Sequence, residues 1–252
     1  MSSTDACAEL IWQAWTTGER MAALPAEIRP ADADAAWRAQ RALDQRAGHR
    51  YGWKIAATSL AGQAHIAVDG PLPGPLYERF RHEPGDVLPS HDLHMRVVEA
   101  EFAFRMGRDV PAGADVVDAV AALHLAVEIP DSRFTDFVAV GGPSLLADAA
   151  CAGRFVLGPE VAGWQADDLA ARATTISVNG EPAAHGSGSA VLGHPLAALR
   201  WLADDLAARG ETLRAGDIVT TGTTTAPPTI AAGDTVRADF GDYGAVELSF
   251  RH

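Results

Sequence analysis

The chain has 252 residues, with 48% hydrophobic and 21% charged residues, as expected for an ordinary globular protein of one large domain or two small ones. Its formal net charge of −13 argues against a nucleic-acid partner, and no apolar run reaches the roughly 18–20 residues needed to cross a bilayer. Its two cysteines, Cys7 and Cys151, match neither a disulfide framework nor a zinc pattern, and the first residues lack the basic region of a secretory signal. We therefore expect a cytoplasmic protein without a membrane or nucleic-acid partner.

The first fifty residues have the pattern of helices. Apolar side chains recur on one face over Ala8–Arg20, and a second helix is predicted over residues 31–48. From residue 51 onward, short strand-like segments replace this pattern. We predict a helical N-terminal segment at residues 1–50 and one compact body at residues 51–252.

Proline and glycine separate the elements predicted in the first half of that body. The segment Val68–Leu76 is too rich in both for a helix or a central strand, so it is predicted to be a loop. In Val97–Met106, apolar and polar residues alternate, which predicts a strand. Residues 115–124 are predicted to form a short helix, followed by a strand at Leu125–Ile129.

Turn and cap signals define the elements predicted in the second half. Asn179-Gly180 lies between two short strand-like segments and predicts a hairpin with a type I′ turn. His194–Arg209 is predicted to be an amphipathic helix that Gly210 ends. Three more strands are predicted at Asp217–Thr221, Thr235–Phe240 and Ala245–Phe250. The fold class predicted from these elements is α+β.

Lys54 is the only lysine of the chain, since the other 19 basic residues are arginines. A buried lysine can act as a base, an acid or a Schiff-base amine, whereas arginine stays protonated. The surrounding segment, Tyr51-Gly-Trp-Lys-Ile-Ala-Ala, is largely apolar. These observations favour a functional lysine over one that remains on the surface by chance.

Three glutamates are candidate metal ligands. Glu99 and Glu101 lie two residues apart on a predicted strand, so both carboxylates point to one face, and Glu128 lies in another apolar strand-like segment. Three carboxylates completed by water suit Mg²⁺ or Mn²⁺. The alternative is that Glu99 and Glu101 occupy the solvent face of an amphipathic strand, and spacing alone leaves both interpretations open.

A series of motifs connects these residues to a known family. The motifs, in chain order, are Gly52-Trp-Lys-Ile-Ala-Ala-Thr-Ser, Val98-Glu-Ala-Glu-Phe-Ala-Phe, Val127-Glu-Ile-Pro-Asp-Ser-Arg, Gly186-Ser-Gly-Ser-Ala-Val-Leu-Gly-His-Pro and Ala215-Gly-Asp-Ile-Val-Thr-Thr-Gly-Thr. In sequence and order they resemble the fumarylacetoacetate hydrolase superfamily, and within it the branch of 2-keto-4-pentenoate hydratases and 4-oxalocrotonate decarboxylases. The resemblance covers nearly the whole chain from about residue 30.

This resemblance implies roles for the residues singled out above. Glu99, Glu101 and Glu128 would be the ligands of Mg²⁺ or Mn²⁺, and Lys54 would be the catalytic or substrate-orienting amine. It also implies a body built around a mixed β-roll or barrel, assembly into homo-oligomers, and a small 2-oxo acid substrate of the kind formed in aromatic compound catabolism.

Three positions, Leu72, Ala149 and Cys151, depart from the branch, and one loop adds a further candidate. Leu72 occupies the place after a proline where the hydratases usually carry an acid, and Asp148-Ala-Ala-Cys151 replaces the usual Asp-Asn-Ala-Ser. The Cys151 thiol either keeps part of the serine's role as a weak donor or only fills space. Thr223 either grips a substrate carboxylate together with nearby backbone N–H groups or belongs to a plain strand-ending turn. Leu72, Cys151 and Thr223 are thus the candidate substrate-binding residues.

The implied activity is that of a metal-dependent lyase acting on an unsaturated 2-oxo or 2-hydroxydienoic acid through an enolate that the cation stabilises. A hydratase of the 2-keto-4-pentenoate type is the first expectation, and a 4-oxalocrotonate-type decarboxylase is the alternative. Schiff-base catalysis by Lys54 is a non-metal rival that leaves the glutamate pair unexplained. A hypothesis of another class is a non-catalytic structural paralogue.

Overall fold

The computed structural model describes residues 1–252, and six helices and twelve strands make up its regular structure. The helices are α1 Ser3–Thr17, α2 Ala33–Ala42, α3 Asp44–Ala47, α4 Leu60–His65, α5 Gly142–Ala147 and α6 Pro195–Ala208. The strands are β1 Arg50–Ala56, β2 Leu72–Tyr77, β3 Arg81–His82, β4 Val87–Pro89, β5 Glu99–Met106, β6 Val120–Ile129, β7 Arg154–Glu160, β8 Ala173–Val178, β9 Glu181–Ser187, β10 Ile218–Thr220, β11 Thr235–Asp239 and β12 Ala245–Arg251. No helix is both long and apolar enough to span a bilayer.

The strands form two mixed sheets. The larger has the order β2-β1-β10-β5-β6-β7-β3, with β1–β10 and β3–β7 parallel and the other neighbours antiparallel. The smaller has the order β4-β12-β11-β8-β9, in which only β4 and β12 are parallel. A main core of 50 buried residues takes side chains from α1, α2, α6 and both sheets. The predicted α+β class is confirmed, whereas the boundary at residue 50 stays a prediction.

The N-terminal helices begin at side-chain caps. Ser2 and Asp5 form a capping box, so α1 starts five residues before the predicted Ala8, and Gly18 ends it in a left-handed conformation. Asp32 accepts a hydrogen bond from the Ala35 N–H and thereby begins α2. The prediction of helices here is confirmed, although the second one is divided into α2 and α3.

The helix predicted at residues 115–124 is wrong. Only a single 3₁₀ turn, Val117–Ala119, is present, and strand β6 already begins at Val120. Strand β6 pairs with β5 along its length, from Met106 opposite Val120 to Glu99 opposite Glu128. Because most of β6 is buried on both faces, its sequence lacks the alternation that identifies a half-exposed strand.

The loop predicted at Val68–Leu76 is also wrong over its second half, because Leu72–Tyr77 is strand β2. This strand is at the edge of the larger sheet, where only one side of its backbone needs partners. It pairs antiparallel with β1, with Pro73 opposite Ile55 and Pro75 opposite Trp53. The prolines correctly argued against a central strand, but they are compatible with an edge strand.

The elements predicted in the second half are observed. Asn179 and Gly180 have φ angles of 53° and 84°, and they join β8 to β9 as the predicted hairpin. Helix α6 begins at Pro195, with the His194 ring accepting a hydrogen bond from the Leu196 N–H. The three C-terminal strands are β10, β11 and β12, each within two residues of its predicted bounds.

Candidate metal centre

The three predicted glutamates converge at one end of the β5–β6 pair. Glu99 and Glu101 point to the same face of β5, and Glu128 on β6 is paired directly opposite Glu99. One carboxylate oxygen from each residue lies within 4.8 Å of the other two. Glu101 and Glu128 are 0% and 1% exposed, so the solvent-face alternative does not hold for this strand.

Three buried carboxylates are costly to ionise together, because they lose hydration and repel one another. Burial, together with the nearby Glu128 carboxylate, raises the pKa of Glu99 to about 7 and raises that of Glu101 well above its ordinary value. Glu101 Oε2 accepts hydrogen bonds from the Gly222 N–H at 2.8 Å and from the Thr220 hydroxyl, whereas its Oε1 has no partner. A buried oxygen without a donor, beside two more carboxylates, suits a hard divalent cation.

Lys54 lies against this cluster from β1. Its side chain is 3% exposed, and its Nζ is 3.1 Å from Glu128 Oε1. Burial alone would lower the pKa of Lys54, but attraction to Glu128, Glu99 and Glu101 outweighs burial and raises it in the metal-free protein. Lys54 is therefore an ammonium that partly neutralises the three glutamates.

A cavity of about 700 Å³ opens onto this cluster. Lys54 and Glu99 line one part of it, and the three candidate substrate-binding residues, Leu72, Cys151 and Thr223, line it as well. Glu101 and Glu128 are buried and do not line this cavity. The structure thus brings every candidate residue of the sequence to one cavity and its metal-binding end.

The Thr223 loop supports the carboxylate cluster through its backbone. Gly222 donates its N–H to Glu101, so this group is not free to hold a substrate, and the Thr223 hydroxyl donates to the Thr225 carbonyl at 2.9 Å. The Thr224 N–H bonds to the Ala100 carbonyl at 2.9 Å, which ties the loop to the strand of Glu99 and Glu101.

Cys151 ends a strained turn that the sequence gives no sign of. Ala149, Ala150 and Cys151 have φ angles of 53°, 51° and 59°, although none is a glycine. Burial, followed by the Asp148 charge, raises the pKa of the Cys151 thiol to about 12. The thiol is therefore neutral and a weak donor.

A buried ion pair holds this turn in place. Arg133 and Asp148 are 1% and 0% exposed, and the Arg133 guanidinium binds the Asp148 carboxylate and the Asp148 carbonyl. Arg133 also donates to the Ala152 carbonyl at 2.7 Å, and its guanidinium carbon lies 4.1 Å from the centre of the Trp15 ring. Arg133 ends one of the motifs that resemble the family, but its burial and its pairing with Asp148 were not predicted, because an arginine carries no local signal of burial.

Comparisons with known proteins show the family of the chain. The family model described as fumarylacetoacetate (FAA) hydrolase C-terminal matches residues 78–251. The chain belongs to the fumarylacetoacetate hydrolase family. The resemblance expected from the motifs is thereby confirmed.

The curated relatives of the chain include both enzyme types of the expected branch. It is 32% identical to a 2-keto-4-pentenoate hydratase of Paraburkholderia xenovorans (strain LB400) over 96% of this chain and 93% of the relative. It is 33% identical to a 4-oxalocrotonate decarboxylase of Pseudomonas putida over 85% of this chain and 82% of the relative. Both relatives are named as enzymes, which favours an enzyme over the non-catalytic paralogue.

A solved structure of this family superposes on nearly the whole chain. The 4-oxalocrotonate decarboxylase from Pseudomonas putida G7, complexed with magnesium and adipate, has a TM-score of 0.89 and 29% identity and covers 98% of this chain and 97% of its own. The predicted family fold, with its small helical N-terminal part, is confirmed by this likeness. That relative contains a divalent cation, as the donor set of this chain would.

Proposed function

We propose that the protein is a divalent-metal-dependent lyase acting on an unsaturated 2-oxo acid, with a hydratase activity of the 2-keto-4-pentenoate type. The observation that carries the proposal is the convergence of three buried carboxylates with Lys54 at one end of a largely apolar cavity. Hydratases at 32% identity over nearly the whole chain give it further support.

The cation would be held by Glu99, Glu101 and Glu128, and we infer Mg²⁺ or Mn²⁺ because all three donors are carboxylate oxygens. When bound, it would supply Lewis-acid polarisation of the substrate's 2-oxo group. Mg²⁺ is supported by the magnesium complex of the decarboxylase, whereas Mn²⁺ rests on ligand chemistry alone.

Residues of the chain would supply the proton transfer and the exclusion of water. Lys54, which lies 3.1 Å from Glu128, would hold a proton beside the reacting end of the substrate. If a cation neutralised the three carboxylates, the pKa of Lys54 would fall, because burial would then outweigh their attraction. Leu72 and Phe137 line the cavity and keep water from parts of the substrate that do not react.

A decarboxylase is the second candidate, and Leu72 is the observation that favours it. Leu72 lines the cavity where the hydratases usually carry an acid, so no carboxylate at that position can position the attacking water. An apolar wall also favours loss of a charged carboxylate as neutral CO₂.

The proposal is tested with a panel of 2-hydroxydienoates and unsaturated 2-oxo dicarboxylates, each assayed with Mg²⁺, with Mn²⁺ and with EDTA. The hydratase proposal expects water addition to the monocarboxylic acids, and release of CO₂ from the dicarboxylates would favour the second candidate. Borohydride in the presence of substrate tests the Schiff-base rival, since a covalent adduct at Lys54 would contradict the metal mechanism.

Assembly and location complete the proposal. We infer a homo-oligomer in the cytoplasm that acts on small 2-oxo acids from aromatic compound catabolism. The composition supports the location, and the family resemblance supports the assembly and the metabolic role. Light scattering of the purified protein measures the oligomeric state.

A further inference from the structure

The cavity contains few groups that can move a proton. Its titratable lining residues are Lys54, His65, Glu99, Cys151 and His185. Under the proposed function, hydration of a 2-hydroxy-2,4-dienoate creates a new C–H bond at the distal end of the substrate, away from the 2-oxo group and the metal. A proton donor must therefore reach that end.

Three of the five groups are unsuited to this task. Lys54 and Glu99 belong to the charge cluster at the metal end, where Lys54 is paired with Glu128. The Cys151 thiol holds its proton too tightly to exchange it readily near neutral pH. Two histidines remain.

His185 is held in place from two sides. It lies on β9 and lines the cavity, and its Nδ1 is 3.1 Å from the Thr175 hydroxyl on β8, which leaves Nε2 without a hydrogen-bond partner in the protein. The next residue, Gly186, is pressed against the loop that supports the carboxylate cluster, since a Cβ there would be 1.9 Å from the Thr224 carbonyl oxygen. Thr224 is in turn bonded to Ala100, between Glu99 and Glu101.

His65 is held much less firmly. It lies on α4, a six-residue helix with no buried residue, and its ring meets the edge of Phe137 at a centroid distance of 5.9 Å. Because a catalytic acid must keep a fixed position relative to the substrate, the anchored His185 suits the role better.

We propose that His185 is the catalytic acid and base at the distal end of the substrate. The 2-hydroxy-2,4-dienoate form of the substrate takes a proton from His185 at C5 while Lys54 accepts the enol proton, which gives the conjugated 2-oxo-3-enoate. Water then adds across C3 and C4: a C4–O and a C3–H bond form, the C3–C4 π bond and one O–H bond of water break, His185 accepts the proton that the water releases, and Lys54 returns its proton to C3. His185 thus finishes the cycle in the state in which it began.

The test compares His185→Asn with His65→Asn as the matched control, both at exposed positions where the fold does not depend on the ring. We expect His185→Asn to lower kcat on 2-keto-4-pentenoate by about 100-fold or more, with KM changed by less than about threefold. Binding of the saturated analogue 2-oxopentanoate, measured by calorimetry with Mg²⁺ present, should be unchanged. His65→Asn should retain a kcat near that of the wild type. The kcat of Thr175→Val should lie between those of His185→Asn and His65→Asn.

The outcomes separate this inference from the proposed function on which it rests. A wild-type protein that turns over none of the unsaturated 2-oxo acids contradicts both. A wild-type protein that hydrates the acid while His185→Asn keeps its kcat within threefold contradicts only the role of His185. A His185→Asn variant whose loss is confined to KM, with weaker binding of 2-oxopentanoate, would also overturn it, because His185 would then only bind.

Discussion

Lys54 is the residue whose chemistry depends most on its neighbours. In water its amine would be an ordinary cation, but in the fold it is buried, and its Nζ is 3.1 Å from Glu128 Oε1 in the carboxylate cluster. The free energy lost by desolvating the ammonium is offset by the attraction of three carboxylates.

The first prediction concerns this amine. Lys54→Met keeps the length of the side chain and removes its charge, so we expect kcat to fall by about 10²- to 10⁴-fold, as for the loss of a general acid or base. Steady-state kinetics with saturating Mg²⁺ measures this. Retention of kcat within threefold would show that Lys54 has no part in the chemical step.

The second prediction concerns a metal ligand. Glu101→Gln is nearly isosteric but removes the charge of a carboxylate that is 0% exposed, so we expect Mg²⁺ affinity to fall by at least about 100-fold. Isothermal titration calorimetry measures the affinity. Glu160→Gln, at an exposed position on β7, is the control and should bind Mg²⁺ like the wild type.

At the scale of elements, the pair β5–β6 creates an electrostatic conflict that a cation resolves. The register places Glu99 opposite Glu128, and like charges directly opposite on neighbouring strands are destabilising. The conflict leads to a third prediction, on pH. The pKa of Glu99 is about 7 in the folded metal-free protein against an ordinary value of 4.5, and that of Glu101 is raised as well.

The direction in which pH changes the free energy of unfolding follows from whether the folded or the unfolded state binds more protons. Between about pH 4.5 and 7 the folded carboxyls keep protons that the unfolded chain releases, so the free energy of unfolding falls as pH rises through this window. Mg²⁺ affinity should rise over the same window, because the cation must displace those protons. Urea unfolding at pH 5 and pH 8, with and without Mg²⁺, measures both effects. A metal-free protein that is more stable at pH 8 would contradict this prediction.

Strand β2 gives a fourth prediction. A Cβ on Gly74 would be 2.3 Å from the Ala149 carbonyl oxygen and 3.1 Å from Lys54 Cγ. We expect Gly74→Ala to displace the left-handed turn, to destabilise the protein by about 1–3 kcal/mol and to lower kcat. Gly70→Ala is the control, since no atom lies within 4 Å of its Cβ position. Thermal unfolding and steady-state kinetics of both variants measure these effects. Equal stability of the two variants would contradict the close approach of Gly74 to the Ala149 carbonyl.

Elements with a local chemical signal could be predicted from the sequence. Asn179-Gly180 demands positive φ angles, and Asp32 offers a cap, so the hairpin and the second helix were found. Strand β6 was missed over residues 120–124 because burial on both faces removes the alternation that identifies a strand. Strand β2 was missed because its position at the sheet edge is a property of the whole topology.

At the scale of the whole molecule, the site is assembled from distant segments. Lys54, Glu99 and Glu128 come from three strands, and strand β10 brings Thr220 to Glu101 from the far end of the chain. The residue types and the family motifs predicted which of these groups meet. Arg133 and Asp148 lie in segments that resemble the family, but their buried ion pair follows only from long-range packing, as does the position of His185.

The whole molecule also determines how the cation and the substrate would meet. Glu99 lines the cavity, whereas Glu101 and Glu128 are buried and do not line it, and Glu101 accepts a hydrogen bond from the Gly222 N–H. A substrate entering through the cavity would therefore approach the metal from one side only, with Lys54 next to it.

The most direct measurement is turnover of 2-keto-4-pentenoate by protein stripped with EDTA, before and after addition of Mg²⁺. The predicted result is no detectable turnover in the stripped protein and recovery of activity with Mg²⁺, with no recovery in Glu101→Gln. Turnover that is the same in EDTA and in Mg²⁺ would contradict the metal-dependent lyase.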